Sequence, residues 1–272
     1  MFSKPIIELK YSNTNTYLIK GKKGSLLFDT GWAGTFPQLC RALGENKLKL
    51  QDISYLLISH FHPDHMGIAQ EIANSGVTIV ASDVQAEYIH SSDHIFEKEK
   101  DSDFVPIDDS SIRLVNVSES RSFLGELGIS GEIIHTPGHS DDSISLWLEK
   151  ERALFVGDLN PLYELDMHKG TQIEESWSGL LKLDPKTVYY GHAMTAKLTG
   201  KGVQTKQKSD NADTYALVKK IMKLIDKGCD DVTIQQKTGA DKVFIHDVAR
   251  MYLTHQNVSV QGILDRIEIK GK

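Results

Sequence analysis

The stretch Ser59-His60-Phe61-His62-Pro63-Asp64-His65-Met66-Gly67 decides how the rest of this chain is read. It puts three histidines and one aspartate into the six positions 60–65. The apolar run 53–58 before it reads as a buried strand, and the apolar-periodic residues after it predict a helix from about Met66 to Ala73. Burying so many polar groups on a tight loop is costly unless each finds a partner. A metal ion is such a partner. Imidazole nitrogen and carboxylate oxygen together make a donor set that cations such as zinc accept. At a strand end residues i and i+2 share a face, so His60 and His62 reach toward one ion. Pro63 keeps His62 extended. Asp64 and His65 fall at the helix entry, point elsewhere and suit a second ion. A loop that divides its donors this way predicts a dinuclear centre.

The same arrangement recurs along the chain. Asp29 follows the apolar strand 25–28, and His139, in Thr136-Pro137-Gly138-His139-Ser140, follows a strand over 129–136. Asp158, in Gly157-Asp158-Leu159, follows 153–156, and His192, in Gly191-His192, follows 188–190. Strand ends on one side of a sheet form one rim, so these separated positions can converge with His60. Two sets of strands with helices between them predict two packed sheets with helices outside. Further strands are expected at 6–9, 14–19, 77–81, 112–117, 122–124 and 143–148. Helices are expected over 36–43, after the capping-box pair Ser82 and Gln85, and after Thr171 and Glu174. Residues 91–103 read as a polar surface loop or lid, with His90 and His94 as solvated side chains, and 160–170 read as a loop.

Residues 199–210 are polar and glycine-bearing and predict a linker. Beyond it, 211–227 has the spacing of an amphipathic helix with Leu217, Val218, Ile221, Leu224 and Ile225. Two more apolar stripes follow, at Phe244, Val248, Met251 and Tyr252 and at Val260, Ile263, Leu264 and Ile267. The chain thus divides into a site-bearing domain over 1–198, a linker over 199–210 and a helical extension over 211–272. The extension reads as a cap or a homodimer surface.

Composition narrows the partners. The 272 residues are 40% hydrophobic and 25% charged, as in a globular α/β protein. A net charge of −6 offers nothing to a polyanion, and the helical tail lacks a basic stripe, so a nucleic-acid partner is disfavoured. Two cysteines, Cys40 and Cys229, do not make a disulfide scaffold and point to a reducing compartment. The first nine residues hold no apolar segment of signal-peptide length, and no run approaches a membrane span. The expectation is a cytoplasmic protein with a small-molecule substrate and no membrane partner.

His60-Phe-His62-Pro-Asp64-His65, His139 in Pro-Gly-His, Asp158 in Gly-Asp-Leu and His192 in Gly-His, in that order and preceded by Asp29-Thr30-Gly31, resemble the metallo-β-lactamase superfamily. The resemblance covers roughly residues 5–198. It implies a four-layer αβ/βα sandwich, with a dinuclear site at one rim of the two sheets and, here, a C-terminal helical extension. It implies that His60, His62 and His139 bind one ion, that Asp64, His65 and His192 bind another, and that Asp158 bridges them. Asp29 is similar to the family aspartate that orients a ligand histidine through its other ring nitrogen. The chemistry implied is hydrolysis by water whose pKa is lowered by two divalent ions, with Asp64 also handling a proton as the leaving group departs. Zinc suits the donor set best, and iron and manganese also suit it.

The substrate is less legible, because a fold and a metal site are shared by many reactions. The helical extension is similar to that of glyoxalase II proteins, but Tyr189-Tyr190-Gly191-His192-Ala193-Met194 lacks their glutathione-binding signature. Lactonases of the superfamily share the ligand set and use a tyrosine near the metals, for which Tyr163, in the loop after Asp158, is the candidate. Asp166 and His168 lie on the same loop as candidates for substrate contact. His62 stands where flavin-coupled di-iron members carry an acidic residue. The leading expectation is an ester, thioester or lactone hydrolase. A phosphodiesterase or ribonuclease of the same fold, and a regulatory member with little turnover, are the alternatives.

Overall fold

The computed structural model describes residues 4–97, 103–199, 202–204, 212–242, 244–245 and 248–249. Its strands form two six-stranded sheets. The first runs in sequence order through β1 (Ile6–Leu9), β2 (Thr16–Lys20), β3 (Ser25–Phe28), β4 (Tyr55–Leu57), β5 (Thr78–Ser82) and β6 (Ile112–Val115). It starts as an antiparallel meander and becomes parallel from β3 onward. The parallel half is reached through helices α1 (Phe36–Glu45), α2 (Pro63–Met66), α3 (Ala69–Ala73) and α4 (Asp93–Phe96). The second sheet contains β7 (Gly131–His135), β8 (Ile144–Leu148), β9 (Ala153–Phe155), β10 (Thr187–Tyr189), β11 (Ala196–Thr199) and β12 (Gly202–Gln204). Here β9 and β10 are the parallel pair, joined through helix α6 (Gln172–Leu181).

The two-residue period of a strand explains how the first sheet is covered on both faces. Leu18, Leu27, Leu56 and Ile79 turn outward and pack with Leu39 and Leu43 of α1 and Ile72 of α3. Their neighbours Tyr17, Ile19, Leu26, Phe28, Leu57 and Val80 turn the other way. These meet Ile133, Ile144, Leu146, Leu148, Ala153 and Phe155 of the second sheet in one inter-sheet core. Tyr17, Phe28 and Tyr189 surround Phe155 with ring centroids 4.6–5.6 Å away. Each large side chain buried in that core contributes about 1.5–3 kcal/mol relative to exposure. Fixing the sheets face to face also fixes the strand ends that carry the polar motifs.

Several local expectations change. Residues 122–124, expected as a strand, belong to helix α5 (Ser120–Glu126). Ser120, Phe123 and Leu124 are its buried residues, a helical spacing that the short apolar run conceals. The single helix expected over 66–73 is two, because Ile68 leaves helical geometry at φ −120°. Residues 160–170 are not plain loop: a 3-10 helix spans Leu162–His168. Within 91–103, α4 buries Phe96, whose ring stacks on Phe104 at 4.0 Å, while 98–102 lie outside the described residues. The linker expected at 199–210 holds the end of β11 and all of β12, because backbone pairing on the sheet edge needs no apolar side chains; residues 205–210 are not described.

Two compact units are present, Met1–Gly191 with Thr195–Val203 and His192–Met194 with Gln204–Lys272. In the second, α7 (Ala212–Asp226) and α8 (Asp231–Thr238) share a small core of Val218, Ile221, Leu224 and Ile234 with Ile245 and Val248. Met251, Tyr252 and the stripe from Val260 to Ile267 lie outside the described residues. No helix among the described residues is long and apolar enough to cross a membrane.

Candidate metal centre

The polar motifs follow strand ends and meet as the rim argument expects. Asp29 leaves β3 with φ +62°, a left-handed conformation that aspartate tolerates better than most residues. Three contacts hold it there. Its N–H donates to Leu57 O at 2.9 Å, its Oδ1 accepts from the Ser59 N–H at 2.6 Å, and its Oδ2 lies 3.0 Å from His65 Nδ1. One carboxylate thus fixes both the start of the 59–67 loop and the ring of His65. With His65 Nδ1 donating to Asp29, His65 Nε2 is left to present a lone pair.

His60 is oriented in a similar way by a weaker partner, the Ser59 hydroxyl, which lies 3.0 Å from His60 Nδ1. On the inner side His62 Nδ1 sits 3.0 Å from His60 Nε2 and 3.1 Å from His139 Nε2. His139 arrives on the turn after β7, from the second sheet. Asp158 arrives after β9. Its Oδ1 is 3.3 Å from His65 Nε2, and its Oδ2 is 3.6 Å from His139 Nε2.

Three overlapping donor groups result: His60, His62 and His139; His60, His65 and Asp158; and Asp64, His65 and His192. Within each group the donor atoms lie within 4.8 Å of one another. The seven residues named from the sequence are therefore all brought together, and Asp29 stands behind them. The donor set fits cations. A single N–H on His62 can satisfy only one of the two facing imidazole nitrogens, whereas a central cation accepts all three lone pairs.

The ring charges respond to the same crowding. Burial pushes His60 well below its ordinary pKa, and neighbouring His65, His62 and His139 push in the same direction. Burial also lowers His62. For His65, burial alone would lower the pKa, but Asp158, Asp29 and Asp64 outweigh it and hold the ring well above the usual range.

Close approach depends on two glycines. A Cβ at Gly157, which has φ +53°, would lie 2.5 Å from Ser59 Oγ. A Cβ at Gly191 would lie 2.5 Å from Asp158 Oδ1 and 2.8 Å from His65 Cε1. Sequence reading missed two supports. One is Ser59, described above. The other is Thr14, whose buried Oγ1 donates to Asp64 O at 2.7 Å. Thr14 sits in a polar run, Ser12-Asn13-Thr14-Asn15, and reads only as the first residue of the strand expected at 14–19, which in the structure begins at Thr16. The same run reaches the far sheet, where the Asn15 side chain donates to Tyr190 O at 3.0 Å.

The substrate candidates fare differently. Tyr163 and His168 both lie on the 3-10 helix after Asp158, Tyr163 being exposed and His168 partly buried. Burial lowers the pKa of His168. His168 belongs to none of the three donor groups found among the described residues, and the side chain of Asp166 is not described.

The metallo-β-lactamase superfamily family model matches residues 10–192. The chain belongs to the metallo-β-lactamase superfamily. Its sequence is 30% identical over 145 residues to the lactamase-like protein nscB of Neosartorya fischeri, covering 53% of this chain and 37% of that protein. It is 30% identical over 153 residues to an atrochrysone carboxyl ACP thioesterase of Claviceps purpurea, covering 54% of this chain and 40% of that one. The chain thus spans about two fifths of the length of these relatives. A metallo-β-lactamase family protein of Thermus thermophilus shares the fold, with a TM-score of 0.55 at 18% identity over 97% of this chain and 92% of the other.

Proposed function

We propose that this chain is a metal-dependent hydrolase with two divalent ions, most simply zinc, acting on a small-molecule ester, thioester or lactone. The observation that carries the reading is the position of Asp158 between two donor trios. One of its oxygens faces His65 and the other faces His139. In this reading His60, His62 and His139 hold one ion, Asp64, His65 and His192 hold the other, and Asp158 serves both.

When bound, the ions supply a water acidic enough to react near neutral pH and polarise the substrate oxygen. The chain's own residues do the rest. Asp29 and Ser59 fix the ring nitrogens that carry hydrogen, so the opposite nitrogens present lone pairs inward. Asp64, buried and anchored through its carbonyl by Thr14, takes the proton that the attacking water gives up and passes it to the departing group. Tyr163 and His168 lie on the segment nearest Asp158 in sequence and are proposed substrate contacts.

The named thioesterase among the relatives favours an acyl substrate over a phosphodiester. The test is a panel of p-nitrophenyl esters, acyl thioesters, lactones and bis-p-nitrophenyl phosphate, each with and without chelator. Chelator-sensitive acyl hydrolysis is the expected result. Turnover of the phosphodiester alone would overturn the acyl assignment. No turnover at full metal occupancy would overturn the hydrolase reading.

A further inference from the structure

We infer that Asp142 is a positioning residue that locks the turn carrying His139 to the strand end carrying His60 and His62. Asp142 is only 3% exposed, and it lies on the turn between β7 and β8. Its Oδ2 accepts the N–H of Phe61 at 2.7 Å, across 81 residues of sequence. Phe61 separates His60 from His62, so its two flanking peptide planes set the angle between those rings. The Phe61 carbonyl is held as well, by the Ser92 hydroxyl from the first sheet's side. Two residues on, the turn joins the loop again: the Ile144 N–H donates to Ser59 O at 2.8 Å. Within the turn, the Ser140 and Ser143 hydroxyls pair at 2.7 Å and the Ser143 N–H donates to Ser140 O.

The turn is thus stiff, and Asp142 is the side chain through which its position reaches the peptide between the two loop histidines. His62 Nδ1 stands 3.0 Å from a nitrogen of His60 and 3.1 Å from one of His139, a spacing that tolerates little drift between the sheets. Asp64 and His65 are held by Asp29 and Thr14, and the segment that delivers His192 is tied to the first sheet by Asn15, whose N–H donates to Gly191 O at 2.7 Å and whose side chain donates to Tyr190 O at 3.0 Å, so none of these contacts passes through Asp142. Asp142 therefore supports one ion and not the other. The inference rests on the dinuclear reading above.

Calorimetric titration of the metal-free 272-residue chain with Zn(II) tests it. The wild type is expected to take up about two equivalents. Asp142→Ala should weaken one of them about 10- to 100-fold and leave the other within about threefold, the range seen when a ligand's outer partner is removed. Asp142→Asn keeps an oxygen for the Phe61 N–H and should restore binding to within about threefold of wild type. In a double-mutant cycle Asp142→Ala should be non-additive with His139→Ala and additive with His192→Ala, a pattern that general loosening of the fold would not produce. Should Asp142→Ala fail to fold, Asp142→Glu, whose carboxylate is displaced by one methylene, replaces it under the same criteria. Two unchanged equivalents in Asp142→Ala overturn this inference alone. So does an Asp142→Asn variant as weak as the alanine, which would assign the effect to charge. A wild-type chain that binds no Zn(II) overturns the dinuclear reading itself and this inference with it.

Discussion

The two sides of the centre are built from the same residue types but are supported differently. His65 is backed by a buried carboxylate, Asp29, and faces two more, Asp64 and Asp158. His60 is backed by a neutral hydroxyl and lies against three imidazoles, those of His62, His65 and His139. As a result burial wins at His60, which is driven toward the neutral ring, and charge wins at His65, which is driven toward the cation. Hydrogen bonds to charged groups contribute about 1.5–3 kcal/mol, against about 0.5–1.5 for neutral ones. The His65 side should therefore depend on its outer partner more than the His60 side does. Asp158 faces both sides, with one oxygen toward His65 and the other toward His139.

The largest expected effect comes from removing that shared residue. Asp158→Ala should lower chelator-sensitive hydrolysis on the order of a thousandfold or more, about 4 kcal/mol, and reduce bound metal measured by elemental analysis. Near-normal turnover would break the idea that the two sides share a donor. Gly191→Ala comes next. The new Cβ collides with both Asp158 and His65, and displacement of either should cost on the order of a hundredfold in kcat/KM, with the far-ultraviolet circular dichroism unchanged.

The comparison itself is sharpened by a matched pair of variants. Asp29→Asn should weaken Zn(II) binding about 10- to 100-fold, whereas Ser59→Ala should weaken it less than about tenfold. Equal losses would show that the charge of the outer partner is irrelevant.

A third histidine calibrates these effects at the surface. His90 lies between Asp93 and Asp109, both at 3.0 Å, yet its side chain is 48% exposed. The hydrogen bond to Asp109, opposed by partial burial and aided by Asp93, raises its pKa above the ordinary 6.5. A raised folded-state pKa stabilises fully below the unfolded value, and that stability is lost as pH rises through the folded one. His90→Gln should therefore lower Tm slightly near pH 5.5 and leave it unchanged near pH 9, with a difference under about 1 kcal/mol because solvent screens the pair. A larger effect, or one that grows with pH, would contradict the assignment.

How much of this was legible beforehand differs by residue. The donor motifs could be read because each is a dense cluster of costly polar groups directly after an apolar strand, a pattern that burial alone does not favour. The alternation of Leu18, Leu27 and Leu56 against Tyr17, Leu26 and Leu57 likewise carries both faces of the first sheet in the sequence. The helix α5 was missed because Phe123 and Leu124 are adjacent, and two neighbouring apolar residues fit either period. Asp142 follows a second aspartate in a polar turn, and nothing in Ser140-Asp141-Asp142-Ser143 separates a buried acceptor from a solvated one.

The sequence by itself determined which atoms are available as donors and the order in which strands deliver them to one rim. Tertiary structure decided how those donors are paired with their supports. Asp29 meets His65 across 36 positions, Thr14 meets Asp64 across 50, and Asp142 meets Phe61 across 81. Such contacts have no local signal, because a single serine, threonine or aspartate is equally at home in a turn. The first two exist once the strands of the first sheet are assembled, and the third only once hydrophobic burial has pressed the second sheet against it; the first of them sets which nitrogen of His65 faces inward.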